Sequence, residues 1–159
     1  MGRIYTIEFE NQSITNAGGD RDFFYAAPAS NKPIKILGWK LVQHSDLGDT
    51  EEEVLRYRLI RGHATVGSGG STVTPVAMYP SDTAASFTAR TNDTTIASAG
   101  TAKNVESGGF NIRVGDYVLY PPEYRPQCTN NQSSIVLRLM AGPADDVTMN
   151  GTMWIEEEG

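Results

Sequence analysis

The side chains that could do chemistry gather in a few places. The first is the stretch from Arg61 to Pro75, RGHATVGSGGSTVTP, with a histidine, several hydroxyls and four glycines. A phosphate-binding P-loop closes on Gly-Lys-Ser/Thr, because the lysine neutralises phosphate and the hydroxyl binds magnesium. This stretch has no lysine. A dinucleotide fingerprint must open a helix after a strand, and Thr72, Val73 and Pro75 do not favour one. A nucleophile elbow needs Gly-x-Ser-x-Gly. Ser68 has Val66 two residues before it, and Ser71 has Val73 two residues after it. The stretch therefore reads as a flexible connection between strands.

His44 and His63 are the only histidines. A cupin-type metal site would ask for two closely spaced histidines and a glutamate. These two stand far apart and read as exposed loop residues. The acidic run Asp46, Asp49, Glu51, Glu52 and Glu53 offers oxygen ligands but not the EF-hand spacing. It reads as a solvated loop, as do Asp145-Asp146 and the tail Glu156-Glu157-Glu158. The single cysteine, Cys128, cannot form an internal disulfide and reads as a buried or idle thiol. No catalytic residue, cofactor site or metal site is assigned.

Arg56, Arg58 and Arg138 fall on the polar phase of their segments, where they would form cross-strand ion pairs or meet an acidic partner. Trp39, Trp154, Tyr117 and Tyr120 have two readings. They could line a carbohydrate-stacking face, or fill a core, which is the default for aromatics on alternating strands.

The elements that must position these groups are strands. Tyr5, Ile7 and Phe9 alternate with Thr6, Glu8 and Glu10, the period of a half-buried strand. Phe23–Ala27 is a second strand. In PIKILGWKLVQHS, Ile34 and Ile36 share one face while Leu37, Trp39 and Leu41 share the other. That switch beside Gly38 predicts a bulge or a strand covered on both sides. Val54–Arg61 alternates Leu55, Tyr57 and Leu59 with arginines. Further strands are expected at Phe110–Val114, Tyr117–Tyr120 and Ser134–Met140. The last, Val147–Ile155, keeps its phase through Asn150-Gly151, so one continuous strand is expected there rather than a hairpin.

About eight strands and no long helix predict an all-β fold: an antiparallel two-sheet sandwich of jelly-roll type with long loops. An immunoglobulin-like sandwich is the second choice. One domain over residues 1–159 is expected, with a loop-rich excursion at 62–104 that is poor in large apolar groups.

Composition narrows the function classes. The chain has 39% apolar and 20% charged residues and a net charge of −6. That suits a globular protein and argues against nucleic acid as a partner, whose phosphates call for a basic surface. No window approaches the roughly 18 apolar residues of a membrane span, and MGRIYTIEFE has no signal core, so membrane partners are not expected.

The blocks MGRIYTIEFE, KILGWKLVQHSDLGD, LRYRLIRGHATVGSGGSTVTPVAMYPSD and GTMWIEEE span nearly the whole chain. They resemble a family of small proteins encoded by tailed bacteriophages. The resemblance implies a non-enzymatic virion structural role, by analogy of size and fold a capsid decoration or cement protein. Its partners would be the major capsid protein or other virion proteins, and its place the virion, after assembly in the cytoplasm of the bacterial host. A homo-oligomer is expected, with a trimer ahead of a dimer. The excursion would then act as a contact arm burying Val76, Met78, Tyr79 and Phe87 against a subunit or the capsid. The alternative is a glycan-binding β-sandwich module of a phage adhesion apparatus.

Overall fold

The computed structural model of the chain describes residues 2–45 and 52–159. These residues form twelve strands. In chain order they are β1 (Arg3–Ile14), β2 (Arg21–Ala27), β3 (Ile34–Gln43), β4 (Val54–Arg61), β5 (Ser71–Val73), β6 (Val76–Ala77), β7 (Thr88–Asp93), β8 (Lys103–Asn111), β9 (Asp116–Leu119), β10 (Gln127–Cys128), β11 (Ile135–Leu139) and β12 (Val147–Glu157). They pair antiparallel in two sheets of six. Sheet A runs β10-β3-β12-β1-β6 with β9 also on β3, and sheet B runs β5-β7-β2-β11-β4-β8.

Within this order lie β1-β12-β3-β9 in sheet A and β2-β11-β4-β8 in sheet B, the connectivity of a jelly roll. Seven of these eight strands show their pattern in the sequence. β8 is the correction, because a strand was expected at Phe110–Val114 and it runs instead over Lys103–Asn111, with residues 112–114 in a turn. The inward residues of the eight form one core between the sheets, including Tyr5, Ile7, Trp39, Leu41, Tyr57, Leu59, Leu137, Leu139, Met149, Met153 and Ile155. Phe9 stacks on Phe23, and Trp39 meets Tyr57 and Tyr120 edge-on.

Two local expectations hold. The register of β12 against β3 slips between Trp154↔Gly38 and Ile155↔Ile36, so Leu37 is the extra residue of a bulge. That bulge lets Ile36 and Trp39 both reach the core while Leu37 turns outward. A Cβ on Gly38 would lie 2.0 Å from the Val118 carbonyl oxygen, so only glycine permits β9 to come this close. β12 runs unbroken through Asn150 and Gly151.

The excursion at 62–104 behaves differently from a projecting arm. It contributes β5 and β7 to one edge of sheet B and β6 to an edge of sheet A. Its two flanks are joined by the bridges Thr65↔Ser98 and Ser68↔Thr95. Ala97, carried on this segment, packs with Tyr25, Ile60 and Val136 of sheet B in a second small apolar cluster. Strands β2 and β11 are consequently buried along almost their whole length.

Candidate functional site

With part of sheet B covered by the chain's own segment, several exposed apolar side chains gather on sheet A. β9 places Tyr117 and Leu119 outward at period two, and they are 63% and 57% exposed. β12 turns Trp154 outward, opposite in phase to Met153 and Ile155. The bulge adds Leu37 and β1 adds Ile4. Beyond β6 the Met78 amide donates to the Ile4 carbonyl at 2.9 Å, which brings Met78 and Tyr79 alongside. Together with Tyr120 and Arg125 these residues line a groove of about 410 Å³.

The groove is aromatic and apolar with one charged edge. Tyr117 and Trp154 meet edge-on with centroids 6.0 Å apart. Arg125 Nη1 lies 3.6 Å from Glu156 Oε2, and Glu156 Oε1 accepts from the Gly2 amide at 3.0 Å. The Tyr120 hydroxyl and Arg125 Nε are shielded and have no hydrogen-bond partner. Such a surface suits contact with another apolar or aromatic surface, or stacking against a sugar ring.

The sequence comparisons add no relative: no protein-family model matches the chain, and no curated protein does.

Of the four contact residues expected from sequence, three are surface residues at this groove or beside it. Val76, Met78 and Tyr79 are 61%, 51% and 62% exposed. Phe87 is the correction. It is only 3% exposed and packs edge-on against Tyr5. The carboxylate of Glu157 accepts from the amides of Ser86 and Phe87, at 2.9 and 3.0 Å, and the Tyr5 hydroxyl donates to the Thr83 carbonyl. This ties the segment to strands β1 and β12, so Phe87 belongs to the chain's own core. The four aromatics of the carbohydrate reading divide. Trp39 is core, its indole Nε1 donating to Asp116 Oδ2 at 2.8 Å. Tyr120 flanks it, and Tyr117 and Trp154 line the groove.

On sheet B, His63 is corrected from an exposed loop residue, while Arg138 forms the expected cross-strand ion pair, with Asp22 on β2. Arg138 and His63 are both buried. Arg138 Nε donates to Asp22 Oδ1 at 2.7 Å, and Nη2 donates to the Ala97 carbonyl at 2.9 Å. The same Nη2 lies 3.3 Å from His63 Nε2. A guanidinium is donor-only, so Nε2 accepts and the ring proton sits on Nδ1, facing the Ala99 carbonyl at 3.3 Å. Asp22 Oδ2 also accepts from the Ala97 amide at 2.7 Å. An aspartate, a histidine and Ser134 meet here, yet not as a catalytic triad. The Ser134 hydroxyl donates to the His63 carbonyl rather than to its ring, and Asp22 holds Arg138 rather than His63. The network pins the excursion to sheet B. A lone arginine within the apolar run SIVLRLM was the one sequence signal for it.

The glycine stretch has its answer in the same region. Gly70 donates its amide to Asp93 Oδ1 at 3.0 Å, and Asp93 is held by Arg90 at 2.8 Å. The backbone donor that a phosphate would need is already used by a carboxylate. A Cβ on Gly70 would meet the Thr91 carbonyl oxygen at 2.1 Å, so the glycine serves close packing of chain on chain.

Cys128 is buried and its thiol is pushed up to about 11 by desolvation, partly offset by Arg61. Among the described residues no three His, Cys, Asp or Glu side chains come together as a metal-binding group. Asp46, Asp49 and Glu51 of the acidic run lie outside the described residues.

Proposed function

We propose that this protein is a non-enzymatic virion structural protein of a tailed bacteriophage, a decoration or cement protein that binds the head shell and stabilises it. The observation that supports this reading best is the exposed groove on sheet A. It gathers Met78, Tyr79, Tyr117, Leu119 and Trp154 on the outer face of a rigid sheet, with a single ion pair at its edge. Exposed apolar surface of this kind marks an interaction site. A flat aromatic face on a sheet needs little ordering when it docks, which favours repeated attachment to a lattice of identical subunits. The resemblance of the sequence blocks to small phage proteins supports a virion role, and analogy of size and fold makes the major capsid protein the proposed lattice.

The test is mass spectrometry with copy counting on isolated phage particles, joined to co-sedimentation of the purified chain with head shells. Many copies per head are expected, and Tyr79→Asp or Leu119→Asp should lower shell binding at least tenfold. Absence from particles, or shell binding indifferent to both substitutions, would overturn the reading.

The second reading, a glycan-binding module of an adhesion apparatus, draws on the same residues. Tyr117, Trp154 and Tyr79 offer aromatic rings to a sugar, and the unpaired Tyr120 hydroxyl lies in the groove wall. Saturable binding on a glycan array, lost in Trp154→Ala, would favour it over the first.

A further inference from the structure

Every two-sheet sandwich has four sheet edges, and an edge strand left open is a template for pairing with another chain. Three edges here are short and bounded by proline. β6 has two residues between Pro75 and Pro80, and β5 has three residues ahead of Pro75. On the far side of β3, β9 has four residues and β10 two, separated by Pro121, Pro122 and Pro126. The fourth edge, β8, is nine residues long and contains no proline. Among the described residues it pairs with β4 alone.

The register shows which of its backbone groups are open. The Ile112 amide donates to the Glu53 carbonyl at 3.1 Å. Alternation along an antiparallel ladder then makes Leu55/Phe110, Tyr57/Gly108 and Leu59/Glu106 the hydrogen-bonded pairs. It leaves the N–H and C=O of Ser107 and Gly109 pointing away from β4. The same alternation on β4 sends the Arg56 carbonyl to the other side, where it accepts from the Met140 amide at 2.9 Å. Beside these open groups are small residues, Ser107, Gly108 and Gly109, so nothing bulky blocks an approaching strand. The ladder is regular from Glu106 to Asn111, and the irregularity of β8 lies before it, at Val105.

We propose that two copies of the chain pair antiparallel along β8, fusing their B sheets into one continuous sheet about a two-fold axis at Gly108. The occupant is a second copy because the strand complements itself in one register. With Gly108 facing Gly108, Ser107 and Gly109 of one copy exchange hydrogen bonds with Gly109 and Ser107 of the other. Glu106 then lies opposite Phe110, so no like charges meet. A shift of one step toward the N-terminus sets Ser107 against Ser107 and pairs Gly109 with Val105, in the bulge. A shift toward the C-terminus calls on the Asn111 carbonyl, which already accepts from the amides of Val114 and Gly115. Glycine at the axis fits the non-hydrogen-bonded position, where backbones come closest. The inference does not depend on the virion reading, and it selects a dimer contact on β8 rather than on the excursion.

The test is sedimentation equilibrium of the full chain over a wide concentration range, with residue-resolved amide hydrogen exchange at its two ends. The mass should double with concentration, and the Ser107 and Gly109 amides should exchange at least tenfold more slowly in the dimer. Ser107→Pro removes an outward donor that β4 does not use, so it should leave the fold intact and the chain monomeric. A single-chain mass throughout, an oligomer untouched by Ser107→Pro, or unchanged exchange at both amides would overturn the proposal. Should Ser107→Pro fail to fold, exchange in the wild-type chain decides alone. Head-shell binding by a strictly monomeric chain would sink this dimer while leaving the virion reading standing.

Discussion

Replacing Arg138 by methionine asks whether the excursion is held to sheet B by a buried ion pair. Arg138 and Asp22 are both almost wholly buried, and their contact is 2.7 Å. Methionine keeps much of the arginine stem's volume, so little of the cost is a cavity. What is lost is the charge partner of Asp22 and the donor to the Ala97 carbonyl. Removing one partner of a buried pair costs about 3–5 kcal/mol, because the other charge is left uncompensated. Asp22 keeps the Ala97 amide as a donor, which places the expected loss at the lower end, near 3 kcal/mol. The assay is urea unfolding at neutral pH followed by tryptophan fluorescence, with the slope against urea unchanged. Adding Asp22→Asn should recover much of the loss, since a neutral amide leaves no unpaired charge and its oxygen still accepts from Ala97. Amides at 94–100 should exchange faster in the single variant than in the double. A loss below about 1 kcal/mol, the value of an exposed pair, or a double variant as weak as the sum of the singles, would refute the reasoning.

Leu137, central in β11 and fully buried between the sheets, should cost about 2–5 kcal/mol when truncated to alanine; a change under about 0.5 kcal/mol would mean that β11 is out of register. The Glu106 carboxyl is raised by desolvation and then by the charge of Asp116. The folded chain therefore holds that proton more tightly than the unfolded chain, and the resulting stability is present at acid pH and lost as pH rises through the raised value. Glu106→Gln should accordingly raise the Tm near neutral pH, with a gain that fades toward about pH 4, and a gain that does not vary with pH would contradict this. Because its thiol is held at about 11 by burial, Cys128 should resist iodoacetamide in the native chain at neutral pH and react once the chain is unfolded; labelling at the rate of a free thiol would put it on the surface.

The groove was partly legible in the sequence. Val76, Met78 and Tyr79 stood out as large apolar residues in a segment too polar to bury them, and they are exposed. Tyr117 and Trp154 were legible only as one of two phases, inward or outward. Alternation gives the period of a strand but not which side of the sheet will be covered. Phe87 was misassigned because its segment shows no period. Its burial depends on Glu157, about seventy positions away, capping the amides of Ser86 and Phe87. Arg138 was legible as half of a cross-strand ion pair but not as a buried one. Polar phase implies solvent only when the outer face of the sheet is bare.

The sequence by itself determined most of the eight jelly-roll strands and the irregularity beside Gly38, since period-two burial is a local property written in neighbouring residues. It thereby determined a two-sheet antiparallel sandwich. It misplaced β8, whose glycine-rich Lys103–Asn111 has almost no apolar pattern. Only the tertiary structure decided the fate of the segment from 62 to 104. Its strands β5, β6 and β7 carry little apolar pattern and exist because open edges of both sheets accept their backbone groups. That choice covers one outer face with Ala97 and the Asp22–Arg138–His63 network, and leaves the other face as an aromatic groove. Contacts between residues so distant along the chain have no signature in local composition, because the free energy that selects them arises only when the sheets are already in place.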